Sequence, residues 1–237
     1  MPLHDSLETR LLALDLGAPL TVRVSPRARR VSLRIDPAER GVELVVPRRV
    51  AINDCLRFVS AHRGWIAARI AALPAPVRLI EGAVVPVMGV PHRIRRELDK
   101  TAATVTIAEG EIRVRGDPAH LPRRVRDHLT GLVKQELGAR ARTLAAGIGK
   151  SVARVGVRDP KSRWGSCSSK GTLSFSWRLV FAPEAVIDYV VAHEVAHLVE
   201  MNHGPRFWRL VATLVPDAQA SRAWLRRHRT ELLAYGA

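Results

Sequence analysis

Aromatic residues are scarce in this chain. Phe, Trp and Tyr make up 5% of its 237 residues, so Val, Leu, Ile and Ala have to fill most of any core. Cysteine is scarcer still. Cys55 and Cys167 are the only two, which excludes a disulfide framework; without an export signal they read as free thiols in a reducing compartment. No apolar run approaches the ~18–20 residues that cross a bilayer. The opening stretch, MPLHDSLETRLLALDLGAP, sets acids among its apolar residues and lacks a cationic start, so it does not read as a secretory signal. A cytoplasmic protein with no membrane partner is the expectation. Acids are also in deficit, with 22 Asp and Glu against 38 Lys and Arg, a formal net charge of +16.

That imbalance raises nucleic acid as a partner, because clustered cations gain affinity by releasing counterions from phosphates. The cations here fall in short groups, at Arg27–Arg30, Arg93–Arg96, Arg123–Arg126 and Arg226–Arg229, with few aromatics between them. Dispersed positive charge of this kind gives only non-specific attraction.

What is present is enough for a globular body. Hydrophobic residues are 47% of the chain and charged residues 25%, sufficient for one substantial core or two small ones. From Pro19 to Val46 the segments TVRVS, RVSLRID and VELVVP alternate and are bounded by Pro, Gly or Asp, as strands are. Apolar residues at helical spacing predict one helix over 52–73, capped by Asn53 and stopped by Pro74 and Pro76. A second β-rich stretch follows in VRLI, AVVPVMG, HRIRREL, ATVTIA and EIRVRG, with Glu109-Gly110 as a hairpin turn. Helical spacing returns over 118–147. SVARVGVRD and TLSFSWRLVFA read as strands, and three helices are expected over 183–201, 205–214 and 217–233. This is an α+β pattern: a β-rich N-terminal region with one helix over 1–116, and a helix-rich region over 117–237. It admits two domains or one continuous body, and the latter is the expectation.

The stretch VIDYVVAHEVAHLV carries the chemistry. On a helix started by Pro183, His193 and His197 are four apart and project from one face, within reach of a single Zn²⁺. Glu194 lies about a quarter-turn around, beside the metal and a water held there, placed to take that water's proton. The flanking residues are apolar on all sides, and three ionisable groups are costly to bury there unless paired or metal-bound. A third protein ligand is expected, leaving one position for water. His203 is the first choice. On a continued helix it would point about 240° away from His197, so the chain has to turn, and Asn202-His203-Gly204-Pro205 supplies the means. Glu200 is the substitute ligand.

The three histidines match the metzincin spacing H-E-x-x-H-x-x-G-x-x-H. Glu200 stands where that pattern has glycine, however, and no methionine follows Met201, so no Met-turn lies downstream. A second likeness fits better. The string RWGSCSSKGTLSFSWRLVFAPEAVIDYVVAHEVAHLVEMNHGPRFW, from Arg163 to Trp208, resembles the YgjP-like metallopeptidase domain family, whose site is similar to that of SprT-like zinc proteases. The resemblance implies a zincin-like core, a peptide or protein substrate, Zn²⁺ held by His193, His197 and His203, and Glu194 as catalytic base.

Around the motif, the segment from Arg163 to Gly171 is expected to line a cleft where a substrate backbone adds as an extra strand, or to be an ordinary hairpin. Arg163 is a candidate for stabilising a developing oxyanion. Tyr189 shares the face of His193. Asp188 and Glu200 are candidates for receiving the free ring N–H of a ligating histidine. Phe207 and Trp208 are expected to brace the His203 turn from the core. Two rivals share these residues: a zinc hydrolase of nucleotide phosphoanhydrides or other non-peptide substrates, and a nucleic-acid-associated module with a structural zinc closed by a fourth ligand.

Overall fold

A computed structural model of the chain describes residues 10–11, 14–97 and 105–236. Contacts divide the chain between Ala75 and Pro76, into units Met1–Ala75 and Pro76–Ala237. The change from β-rich to helix-rich sequence near residue 116 therefore lies inside the second unit. There, Ile94, Ile112 and Val114 of the second β-rich stretch share one core with Val125, Leu129 and Val133 of the following helix.

In the first unit β1 (Leu20–Ser25), β2 (Ser32–Asp36) and β3 (Gly41–Pro47) form a sheet of order β1-β3-β2. β1 runs parallel to β3, and β2 antiparallel. Val22, Val42, Leu44 and Val46 pack on Cys55, Val59 and Ile66. The predicted helix over 52–73 is two helices, α1 (Ile52–Ala61) and α2 (Arg63–Ala71). Its N-cap is Ala51, not Asn53, and no side chain caps it. The break falls at His62, whose Nδ1–H donates 2.7 Å to the Phe58 carbonyl, taking an acceptor that a continuing helix would use.

In the second unit β4 (Val84–Val87), β5 (Val90–Glu97), β6 (Val105–Ala108) and β7 (Glu111–Arg115) pair in the order β4-β5-β7-β6. The N-terminal end expected for β6 and the C-terminal end expected for β5 fall outside the described residues. Glu109 and Gly110 take φ of 54° and 73°, the positive values a two-residue type I′ turn requires. VRLI is no strand: only Val77 bridges, to Tyr235. The 27-residue helix α3 (Leu121–Gly147) buries Val125, Leu129, Val133, Leu137, Ala141 and Ala145 along one stripe.

β8 (Arg154–Arg158), β9 (Gly165–Cys167) and β10 (Thr172–Ser176) form a sheet of order β8-β10-β9. β10 ends at Ser176, where a 3-10 turn over Trp177–Phe181 replaces the longer strand that the sequence suggests. Helix α4 (Glu184–Ala196) spreads apolar residues around most of its circumference, which fits a largely buried helix, and its Val186, Ile187, Val190, Val191 and Val195 are all covered. Arg140 of α3 clamps it through Asp188 at 2.6 Å and Glu184 at 3.3 Å. α5 (Pro205–Leu214), α6 (Ala218–Arg227) and α7 (Arg229–Ala234) complete the unit. The helix expected over 217–233 breaks at His228, whose backbone amide keeps its bond to the Trp224 carbonyl at 2.9 Å while its Nδ1–H donates to the same carbonyl at 3.0 Å.

Candidate metal centre

Helix α4 ends earlier than its apolar pattern suggests. His197 is already the C-cap, and the Leu198 and Val199 amides bond back three residues to Val195 and Ala196 at 2.9 and 3.1 Å. The His197 Nδ1–H donates to the Glu200 backbone carbonyl at 3.0 Å. A carbonyl can only accept, so this bond fixes the tautomer and leaves Nε2 with its lone pair. Glu200 thus serves His197 through its main chain, and its carboxylate is not part of the histidine cluster.

The reversal brings His203 back over the helix. Its Nε2 lies 3.0 Å from His193 Nε2, and one nitrogen from each of His193, His197 and His203 fits within a 4.8 Å span. Two features hold His203 there. Pro205 begins α5 directly after the N-cap Gly204, and the Trp208 indole N–H donates to the His203 carbonyl at 3.1 Å. Phe207, fully buried, is the platform beneath the cluster. It stacks on His197 at 4.5 Å between centroids and meets His193 and His203 edge-on at 4.9 and 4.7 Å.

Electrostatics favour neutral rings. Burial, then the neighbouring His197, His203 and Arg222, push His193 down to about 4. Burial, reinforced by His203, also lowers His197 against the raising effect of its bond to Glu200. Neutral imidazole is the form that binds a metal, and three converging lone-pair donors fit a divalent cation of intermediate softness.

Glu194 is 5% exposed. Burial raises its carboxyl from 4.5 to about 7, and Arg163 partly opposes the shift. Beside it lies a cavity of about 360 Å³, whose lining includes Arg163, Trp164, Gly165, Tyr189, His193 and Glu194. Among the described residues β9 has a strand neighbour on one side only, so Gly165–Cys167 is a sheet edge at this cavity. Gly165 has to be glycine: a β-carbon there would sit 2.6 Å from Glu194 Cγ. Tyr189 lies edge-on to His193 at 6.0 Å and is held in its protonated form by burial.

Of the residues singled out in the sequence, His193, His197 and His203 cluster, and Glu194, Arg163 and Tyr189 line one cavity with His193. Asp188 does not join them; it faces α3 and pairs with Arg140. Cys167 is a half-buried free thiol whose Sγ contacts the Ser168 carbonyl at 3.4 Å. Sequence reasoning assigns no site role to the cavity's remaining cations: Arg226 and Arg229 read as dispersed surface charge, and Arg222 is not singled out. The signal was there in part, since Arg222 and Arg226 stand four apart on a helix.

A family model described as the YgjP-like metallopeptidase domain matches residues 29–228. Two solved structures align with part of the chain. One is the metallopeptidase zymogen abylysin of Pyrococcus abyssi, at 25% identity over 41% of this chain and 93% of that one, with a TM-score of 0.34. The other is the metallopeptidase zymogen jannalysin of Methanocaldococcus jannaschii, at 18% identity over 45% and 96%, with a TM-score of 0.30. No protein with a curated description matches the chain.

Proposed function

The chain belongs to the YgjP-like metallopeptidase domain family, and from that premise we propose that it is a zinc peptidase of the HExxH type with a zincin-like core, acting on peptides or proteins in the cytoplasm. The observation that carries this reading is the convergence of three imidazoles, one of which, His193, shares a cavity wall with the buried Glu194 carboxylate. His193, His197 and His203 would hold the metal. Three nitrogen ligands with a position left open is the donor set of a catalytic zinc site, whereas a structural site closes with a fourth protein ligand. When bound, zinc supplies Lewis acidity that polarises a carbonyl and brings the pKa of water down to about 7.

Glu194 is the general base and acid. A carboxyl lifted to about 7 can take a proton from water and return it to the leaving amine near neutral pH, the condition under which proton transfer is most effective. Arg163 favours the ionised form that begins the cycle. Tyr189, protonated and facing the cavity, can donate to the carbonyl oxygen as charge builds on it. The Gly165–Cys167 edge offers backbone donors and acceptors to an extended substrate, which would add beside β9 as a further strand.

The test is zinc content and hydrolysis measured together. Wild type should bind one zinc and cleave a peptide library. Glu194→Gln should keep the zinc and lose activity by about 10²–10⁴-fold, the scale of a lost general base. Nucleoside triphosphates assayed in parallel decide against a phosphoanhydride hydrolase. Triphosphate cleavage abolished by Glu194→Gln, with no peptide cleaved by wild type, overturns the peptidase reading.

A further inference from the structure

The wall of the cavity that faces Glu194 is strongly cationic. Ser221 is buried, and its hydroxyl donates 3.1 Å to the Ala185 carbonyl, fastening α6 against α4. The next residue, Arg222, and Arg226, four further on and so on the same helical face, both line the cavity. Arg222 is steadied by the Trp208 ring at 5.0 Å and acts electrostatically on both His193 and Tyr189. Arg229 opens α7 and donates 2.8 Å to the Lys161 carbonyl, which ties the segment before Arg163 to the same wall.

Some arginines elsewhere in the second unit hold carboxylates: Arg95 and Arg113 on Glu111, Arg140 on Asp188, Arg178 on Asp159. Arg163, Arg222, Arg226 and Arg229 form no salt bridge among the described residues. Among the described residues Glu194 is the only carboxylate lining their cavity. Four cations converge on a site whose single acid is engaged in proton transfer, so the charge complement has to come from the ligand.

We infer that this cleft selects peptides bearing a carboxylate next to the scissile bond, with Arg222 and Arg226 as the specificity residues. This rests on the peptidase reading above. Guanidinium groups match carboxylates in two-point geometry, and the unpaired sheet edge beside them suits a peptide backbone. A single-stranded nucleic acid would need aromatic stacking platforms along the groove, and the cavity's aromatic lining is Trp164, Tyr189 and His193, the last of them assigned to the metal. The carboxylate can be an Asp or Glu side chain or a peptide C-terminus.

Binding to zinc-loaded full-length Glu194→Gln protein, by calorimetry, separates recognition from turnover. The probes are end-blocked peptides with Glu, Gln or Lys at the centre, the Gln peptide with a free instead of an amidated C-terminus, and a short oligothymidylate. The Glu peptide should bind about tenfold tighter than the Gln peptide in low salt, and less so at ~1 M salt, where screening shortens to ~3 Å. A gain from the free C-terminus instead assigns the carboxylate to the chain end. Adding Arg222→Glu and Arg226→Glu should reverse the order in favour of Lys, and Arg222→Gln with Arg226→Gln should level it. Equal affinity for the Glu, Gln and free-terminus peptides overturns the inference, as does a preference that survives charge reversal. Tighter oligothymidylate binding lost on charge reversal overturns it in favour of nucleic acid. Peptide cleavage by the Glu194 enzyme without charge preference sinks this inference alone. The charge preference without any cleavage sinks the peptidase reading and leaves the recognition standing.

Discussion

Gly165 lies against Glu194 so closely that its missing side chain is part of the site. An added β-carbon would be 2.6 Å from Glu194 Cγ and 2.7 Å from Cδ, and Glu194, 5% exposed, has little room to withdraw. The edge strand therefore positions the buried carboxylate as well as bordering the cavity.

Gly165→Ala should displace the Glu194 carboxylate. Overpacking of this kind costs about 1–3 kcal/mol. The variant should keep its zinc, lose stability on that scale in urea and lose at least about tenfold in kcat/KM, because a small displacement of a catalytic group is expensive. Unchanged kcat/KM would mean that the carboxylate relocates freely.

In metal-free protein, stability should depend on pH through Glu194. Its carboxyl sits at about 7 against an ordinary 4.5. Between those values the unfolded chain gives up a proton that the folded state keeps, so stability falls as pH rises through the window, by about 3 kcal/mol at most. His193, held at about 4 by burial and then by His197, His203 and Arg222, acts with the opposite sign: stability falls as pH drops from 6.5 towards 4. The two slopes offset in wild type. Glu194→Gln removes one of them, and should exceed metal-free wild type by about 2 kcal/mol at pH 8 but not at pH 4.5. Urea unfolding at both pH values checks this; an equal advantage at both would exclude the charge as its source.

His203→Ala should abolish metal-dependent stabilisation. Zinc at a hundredfold excess over its dissociation constant raises the stability of a protein that binds it only when folded by about 2.7 kcal/mol. Wild type should show that shift in thermal unfolding. The variant should show almost none, with a metal-free Tm close to wild type because His203 is exposed. A preserved shift would move the third ligand elsewhere.

Phe207 should matter to the metal without touching it. Phe207→Ala removes a fully buried ring and should cost about 3–5 kcal/mol. Phe207→Leu keeps most of the volume but loses the face stacked on His197 at 4.5 Å, so it should stay folded and bind zinc more weakly. Equal zinc affinity in a chelator competition would reduce Phe207 to core filling.

The sequence was most legible where the physics is local. Strand alternation marked β1 to β3, β5 and β10, and Glu109-Gly110 stands at the positive φ that hairpin demands. It was least legible at the ends of helices. At His62, His197 and His228 helices end or break although the apolar periodicity runs on, and at each an imidazole Nδ1–H bonds a main-chain carbonyl; at His62 that carbonyl is the one the residue's own backbone amide would use in a continuing helix. Asp188 was misread for a related reason: it shares α4 with the histidines, but the neighbour it meets, Arg140, lies on α3.

By itself the sequence determined that His193 and His197 share one helical face with Glu194 beside them, because residues one and four apart are related by the fixed rise and turn of a single helix. It also determined that the chain has to reverse before His203. Only the tertiary structure decided that His203 Nε2 closes to 3.0 Å on His193, that Gly165 abuts Glu194, and that arginines from α6 and α7 face the same cavity. Those relations join residues on separate elements, and they are set by how apolar faces pack, which no local spacing encodes.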